Sequence, residues 1–409
     1  MDILLNVLAD KRIEEEITIS GSKSESNRLL ILQKLFPEIT IENLSDSDDS
    51  VHMHHALTTE DLLVDIGHAG TAMRFLTSYF AVNKGREVFL TGSERMQNRP
   101  IEILVNALKD LGADITYAEK QGYPPLKIKG KKLTKDKVQI NGNVSSQYIS
   151  SLLLIASKLD NGLEIELTGK ITSVPYIKMT LSLLSQIGIE SSFQKNVIKV
   201  FPKETVKTQT VVVESDWSSA SYFYSIIALA DLGSEIKLSA YKQESLQGDS
   251  CLADIYSHFG VTTTFGNDFI TLKKEKNTNQ ETLVRNLKDA PDIAQTIAVT
   301  CFAEGIACHL SGLHTLKIKE TDRLVALHDE LTKLGAKVSI TDETLEVSKA
   351  SNINSNIAID TYNDHRMAMA FAPLALKVSI KINDAEVVTK SYQKFWNDME
   401  QIGINITHL

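Results

Sequence analysis

A mixed α/β (α+β) fold in two similar domains, each built from three repeated units, is what this sequence predicts, and three observations predict it. Its 409 residues exceed what one ordinary hydrophobic core organises. An apolar helix end, a glycine and a β-like run recur together at a near-constant interval. Gly and Pro are scarce, 20 and 8 residues, so long flexible linkers between the recurring pieces are not expected.

In chain order the first copy is degenerate: LQKLFPEI from Leu32, with Phe36 at the glycine position. The regular copies follow as LKDLGADI ending at Ile115, LSQIGIE from Leu184, YSHFGVTT from Tyr256, LTKLGAKV from Leu331 and MEQIGINI from Met399. Their glycines, Gly112, Gly188, Gly260, Gly335 and Gly403, are 76, 72, 75 and 68 residues apart, and Phe36 lies 76 before Gly112. Glycine reaches the left-handed backbone conformation that ends a helix, and the alternation of apolar residues after it starts a strand. Six units of about 68 residues account for the whole chain, three to a domain.

Between these copies, residues 45–50 read as an acidic, turn-rich loop. The lysine-rich KIKGKKLTKDK from Lys127 reads as a solvated hairpin. His52, His54 and His55 form a cluster without further ligands at metal-binding spacing, so no metal is expected. Several polar residues open apolar-periodic segments: Ser24, Thr71, Ser146, Asp292 and Asp364 each stand at a predicted helix start. Unpaired N–H groups and partial positive charge make each such start suited to an anion.

Composition narrows the function classes. Lys and Arg number 43 against 52 Asp and Glu, a net charge of −9 without a basic tail, which disfavours a nucleic-acid partner. The longest apolar runs, around residues 151–156 and 222–230, fall short of the roughly 18 residues a membrane span needs. MDILLNVLADKR lacks the basic start and small-residue cleavage site of a secretory signal, and three irregular cysteines, Cys251, Cys301 and Cys308, do not make a disulfide framework. A cytoplasmic protein is the expectation.

Arginine is the rare cation: only Arg12, Arg28, Arg74, Arg86, Arg95, Arg99, Arg285, Arg323 and Arg366 are present. Six of these nine stand in short polar motifs, GSKSESNR, GTAMR, ERMQNRP, KETDR and NDHR. The planar fork of arginine grips carboxylate and phosphate bidentately, which lysine cannot do. In KETDR the spacing lets Lys319, Glu320 and Arg323 share one helical face, a cationic grip with a carboxylate inside it. GSKS lacks P-loop spacing and no GxGxxG follows a strand, which disfavours ATP and dinucleotides. A pair of small, highly anionic substrates is the inference left.

Together these motifs resemble the 3-phosphoshikimate 1-carboxyvinyltransferase (EPSP synthase) family. In order they are GSKSESNR (21–28), AGTAMR (69–74), RMQNRP (95–100), SSQY (145–148), PYIKMT (175–180), PDIAQTIA (291–298), KETDRL (319–324), YNDHRMAM (362–369) and TKSY (389–392). The resemblance implies two similar domains of three βαβαββ units each, with the active site in the cleft between them. Residues 1–20 and 214–409 would form one discontinuous domain and residues 21–213 the inserted one. The implied reaction moves the enolpyruvyl group of phosphoenolpyruvate to the 5-hydroxyl of shikimate 3-phosphate and releases phosphate, without metal or organic cofactor. A monomer that closes its domains over both ligands is part of that expectation.

Residue by residue, the resemblance assigns phosphoenolpyruvate to Lys23, Gly70, Arg95, Gln147, Arg323, Arg366 and Lys390. It assigns shikimate 3-phosphate to Lys23, Ser24, Arg28, Ser145, Ser146, Gln147, Ser173, Tyr176, Asp292, Thr315 and Lys319. Asp292 is similar to a base for the reacting hydroxyl, Glu320 to the proton donor for the methylene carbon, and Lys319 and Lys23 to charged catalytic partners. The chain departs from the pattern at His68, Phe75, Val174 and Thr315, which leaves response to the inhibitor glyphosate open. The related UDP-N-acetylglucosamine enolpyruvyl transferases usually carry a reactive cysteine in the region before Arg95, but this chain has none before Cys251. A non-catalytic anion-binding protein would have lost acid, base or grip residues, and all are kept.

Overall fold

The computed structural model describes residues 1–409 except 9, 10, 144, 170, 172, 173 and 279–281. The chain divides into two compact units, residues 1–20 with 214–409, and residues 21–213.

One four-stranded pattern recurs in both: a parallel pair, then two antiparallel neighbours. In the 21–213 unit, Leu63–Asp65 pairs parallel with Glu87–Thr91, which continues antiparallel to Leu126–Lys129 and Asp114–Tyr117. Lys137–Asn141, Leu163–Thr168, Val197–Val200 and Ser191–Gln194 repeat it. In the other unit the sheets led by Glu14–Ile17 with Glu235–Ser239, Thr282–Asn286 with Ala307–Ser311, and Ile357–Ile359 with Ile380–Ile382 follow the same order. The third of these is completed by the N-terminal strand Ile3–Asn6, antiparallel to both Ile380–Ile382 and Asn405–His408. The degenerate first copy differs: Ile39–Glu42 pairs parallel with Gln209–Val212 in a sheet of two strands. Phe36, without the left-handed option, closes its helix at φ −132°.

All five predicted glycines take positive φ, between 77° and 106°. Each ends a helix, and a strand follows within a few residues. Two other local expectations are corrected. Lys127 does not begin a hairpin, because its strand ends one sheet while Lys137–Asn141 starts another. Residues 45–50 are not simply a loop: Ser45, Ser47 and Ser50 are buried, bonding one another, Ser26 and Asn27, and Ser47 precedes the helix Asp48–Thr58.

Buried helices form the centre of each unit. Lys23–Leu35, Gly70–Val82 and Ser146–Ala156 pack on one another in one. In the other, Trp217–Leu229 packs on Ala294–Ala303, which packs on His365–Phe371. Helices apolar all round belong inside, and the small hydroxyls on them bond across the packing. Ser221 meets Thr296 at 3.0 Å, Thr300 donates to Ser225 at 2.7 Å, and Ser151 donates to the Arg74 carbonyl at 2.7 Å. These ties bring the N-terminal turns, where the site motifs lie, close together within each unit. No helix among the described residues is long and apolar enough to cross a membrane.

Candidate active site

In the 21–213 unit the site is organised by Arg28, which is only 3% exposed. One turn into its helix, its Nη1 donates to the Ser24 carbonyl at 2.7 Å, Nε to Thr180 Oγ1 at 2.8 Å and Nη2 to Ser150 Oγ at 3.1 Å. Every one of these acceptors is neutral. Burial pushes the guanidinium down to about 10, against the smaller upward pull of Tyr176 and Glu25. The rings of Phe75 and Tyr176 flank it at 5.3 and 5.9 Å. Phe75, a departure from the family pattern, therefore has a place as a cation–π neighbour of this arginine.

Around Arg28 the other predicted residues take up positions at helix starts. Lys23 is the first residue of its helix, half-buried, with no hydrogen-bond or ion-pair partner among the described residues. Ser145 caps the helix Ser146–Ala156 by accepting from the Gln147 N–H at 3.3 Å, and Ser146 beside it is buried. The Gln147 amide donates to Thr71 Oγ1 at 3.2 Å, linking this helix start to the one at Gly70. A β-carbon on Gly70 would lie 2.5 Å from Arg99 Nη1, so glycine leaves the space that this guanidinium occupies. Arg74 is turned to structure, donating to the Gly70 and Pro100 carbonyls. Arg95 is exposed on the short helix Glu94–Gln97, which Ser93 caps while also bonding the His68 ring at 2.9 Å. Tyr176 lies in the first turn of Val174–Gln186, and Ser173 lies outside the described residues.

The other unit gathers its charges on Arg323, 1% exposed and the first residue of the helix Arg323–Lys333. Its Nε donates to Asp364 at 2.7 Å, Nη1 to Asp292 at 2.8 Å and Nη2 to Glu320 at 2.7 Å. Asp292, in the turn Pro291–Ile293, also pairs with Lys319 at 3.3 Å and Arg366 at 3.4 Å. Burial by itself would raise the Asp292 carboxyl, but Arg366, Lys319 and Arg323 outweigh it and hold it well below the usual carboxylate range. Asp292, with smaller help from Tyr222, Asp249 and Asp216, overcomes the burial of Arg366 and raises it.

Lys319 and Glu320 do not share a helix with Arg323. Asp322 caps the helix by accepting from Leu324 and Val325, so the chain before it is non-helical. The Glu320–Arg323 pair survives because it needs proximity and not helical phase. Thr315 lies in the turn His314–Ile318, its buried hydroxyl without a hydrogen-bond partner among the described residues. Lys390 donates to the Asn363 carbonyl at 2.7 Å and to Asn363 Oδ1 at 2.8 Å.

Asp364, Asp249 and Ser218 join this cluster without having been singled out for chemistry. Asp364 reads in the sequence only as a helix start, and it is that too, accepting from the Arg366 N–H at 2.9 Å. Asp249 lies in QGDS with no spacing that ties it to another motif. Ser218 donates to it, and Arg366 Nη2 donates to Ser218 Oγ at 3.2 Å. Burial pushes the Asp249 carboxyl up to about 7, and the charge of Asp292 adds to the rise. The native state then holds a proton that the unfolded chain gives up near the usual 3.8, so stability falls as pH rises from there through 7. Asp249→Asn is expected to be more stable than the unaltered protein at pH 8 and little different at pH 4 in urea unfolding. A loss of stability at pH 8 would show instead an ionised Asp249 that the cations stabilise.

Comparison with known proteins bears on this arrangement. The family description EPSP synthase (3-phosphoshikimate 1-carboxyvinyltransferase) matches residues 56–399. A 3-phosphoshikimate 1-carboxyvinyltransferase of Bacteroides fragilis (strain YCH46) is 43% identical over 402 residues, covering 97% of each chain. One of Sulfurovum sp. (strain NBC37-1) is 37% identical, covering 96% of this chain and 97% of its own. Among solved structures, EPSP synthase from Acinetobacter baumannii superposes with a TM-score of 0.85 at 19% identity, covering all of both chains. The enolpyruvyl transferase NikO from Streptomyces tendae does so with 0.72 at 14% identity, over 100% of this chain and 99% of its own.

Proposed function

The chain belongs to the EPSP synthase family, the 3-phosphoshikimate 1-carboxyvinyltransferases, and on that premise we propose how its residues divide the reaction. The enzyme transfers the enolpyruvyl group of phosphoenolpyruvate to shikimate 3-phosphate and releases phosphate, a step of aromatic biosynthesis. The division rests on one contrast: among the described residues the hydrogen bonds of the buried cation Arg28 go to neutral oxygens, whereas Arg323, Arg366 and Lys319 are already paired with carboxylates.

A buried cation whose hydrogen bonds among the described residues all go to neutral oxygens suits a fixed phosphate, so Arg28 holds the 3-phosphate of shikimate 3-phosphate. Lys23, Ser24, Ser145, Ser146, Gln147, Ser173 and Tyr176 complete that half; Thr315 and Lys319 are assigned to the same substrate on the family resemblance. Phosphoenolpyruvate is gripped by Arg323, Arg366 and Lys390 together with Lys23, Gly70, Arg95 and Gln147.

In the first step a proton adds to the methylene carbon, the 5-hydroxyl oxygen bonds to the adjacent carbon, and the hydroxyl proton passes to a base. In the second, the carbon–oxygen bond to phosphate breaks and the new methyl group gives back a proton, restoring the double bond. Glu320 is the acid of the first step, Asp292 the base, and Lys319 steadies the oxygen that loses its proton. Beside these three cations and before substrate arrives, Asp292 is too weak a base. The carboxylate and phosphate of phosphoenolpyruvate compete for those cations, so substrate arrival raises the proton affinity of Asp292 when the hydroxyl must be deprotonated.

Phosphate release tests the reading: it is expected with phosphoenolpyruvate and shikimate 3-phosphate together and not when UDP-N-acetylglucosamine replaces the latter. Release only with the nucleotide sugar, or no release with either acceptor, would overturn it. We place the enzyme in the cytoplasm as a monomer, the first in keeping with its free thiols, the second on the family resemblance.

A further inference from the structure

Glu330 has no role in the chemistry above, yet its carboxylate is completely buried, on the same helix that Arg323 opens. It accepts four hydrogen bonds. Lys333 Nζ supplies two, at 2.8 and 2.9 Å; the Tyr362 hydroxyl supplies one at 2.6 Å and the Asp360 backbone N–H another at 3.2 Å. The last two grip the segment that leads from the strand Ile357–Ile359 into the helix His365–Phe371.

That segment has an unusual backbone. Tyr362 and Asn363 both take left-handed conformations, φ 52° and 57°, and neither is glycine. For a residue with a β-carbon this conformation is disfavoured, and more so for tyrosine than for asparagine. Asn363 then presents its carbonyl and side-chain oxygens together to Lys390, and Asp364 presents its carboxylate to Arg323 while receiving the Arg366 N–H. Of the phosphoenolpyruvate grip, Lys390 therefore bonds the second residue of the left-handed pair, and Arg323 and the Arg366 N–H bond the residue directly after it. A buried carboxylate ties that pair down.

We propose that Glu330 is a positioning residue for phosphoenolpyruvate: through Tyr362 and Asp360 it keeps the left-handed turn formed, and the turn sets Lys390, Arg323 and Arg366. Lys333 accompanies it as the counter-charge, reaching Asp360 Oδ2 at 2.7 Å as well, so the carboxylate is neutralised where it is buried. This inference rests on the assignment of Lys390 and Arg366 to phosphoenolpyruvate.

Glu330→Gln preserves shape and removes the charge that Lys333 and Tyr362 bond. It is expected to raise KM for phosphoenolpyruvate about tenfold, the equivalent of about 1.4 kcal/mol, with KM for shikimate 3-phosphate and kcat changed by about twofold or less. Glycine adopts the left-handed conformation freely, so adding Tyr362→Gly to Glu330→Gln is expected to bring KM for phosphoenolpyruvate back to within about threefold of the unaltered enzyme. A residue that only stabilised the fold would lower the melting temperature without this substrate split or its rescue. KM for phosphoenolpyruvate unmoved by Glu330→Gln, or worsened by the added glycine, overturns the proposal. Lys390→Ala in the same assay separates the two layers: if it raises that KM while Glu330→Gln does not, only the tie fails. If Lys390→Ala leaves it unchanged, the assignment of the cation fails and the tie with it.

Discussion

Glu320→Gln is expected to lower kcat by about 10²- to 10⁴-fold, the usual worth of a positioned proton donor, while KM for each substrate stays within about threefold. The amide keeps the volume of the carboxyl group and can still accept from Arg323 Nη2, which lies 2.7 Å from Glu320 in the native site. The change therefore removes the transferable proton and little of the grip. Arg323 also keeps Asp292 and Asp364, so its own position has two remaining anchors. Steady-state kinetics with both substrates varied separates the two effects, since a group acting only in the transition state moves kcat without KM. A kcat within twofold of the unaltered enzyme would remove Glu320 from the acid role and leave proton delivery to another group.

Arg28→Ala has the second large expected effect, a rise in KM for shikimate 3-phosphate of about 10²- to 10³-fold. Removing one partner of a buried, hydrogen-bonded charge pair costs about 2–5 kcal/mol or more, and Arg28 is a buried cation whose hydrogen bonds among the described residues go to neutral oxygens. Stability is expected to respond in the opposite sense. Burial lowers the pKa of Arg28 to about 10, so folding at neutral pH disfavours its charged form. A melting temperature at pH 7 equal to or above that of the unaltered protein, together with the large KM, identifies a binding residue whose charge is kept for its ligand. Unchanged affinity for shikimate 3-phosphate, measured by calorimetry, would show that the phosphate is held elsewhere.

Much of the architecture is legible from one local rule. A glycine that can turn left-handed after an apolar helix end, followed by alternation, marks Gly112, Gly188, Gly260, Gly335 and Gly403, and all five have the positive φ that the rule requires. The rule fails where its residue is missing: at Phe36 the following strand enters a sheet of only two. Charge runs mislead for a related reason. Lys127 and Lys129 describe the solvent-facing side of a strand, but Leu126 and Ile128, buried on the other face, commit that strand to the sheet containing Glu87–Thr91. The run continues into a different sheet, and composition does not reveal where one ends and the next begins.

The site divides along the same line. Rarity of arginine and the placement of polar residues at helix starts point to Arg28, Arg323, Arg366, Ser146 and Asp292 from the sequence alone, because an N-terminal turn and a guanidinium fork have their chemistry wherever they stand. Which carboxylate balances which cation is decided only by tertiary structure. Arg323 finds Asp292 and Asp364 at 31 and 41 residues' separation, Ser218 joins Arg366 to Asp249, and Arg28 reaches Ser150 and Thr180 across 122 and 152 residues. Helix caps and strand alternation act over a few neighbouring residues and can be read in one dimension. Coulomb energy and hydrogen bonding depend on distance in space, and that distance exists only once the helices have packed.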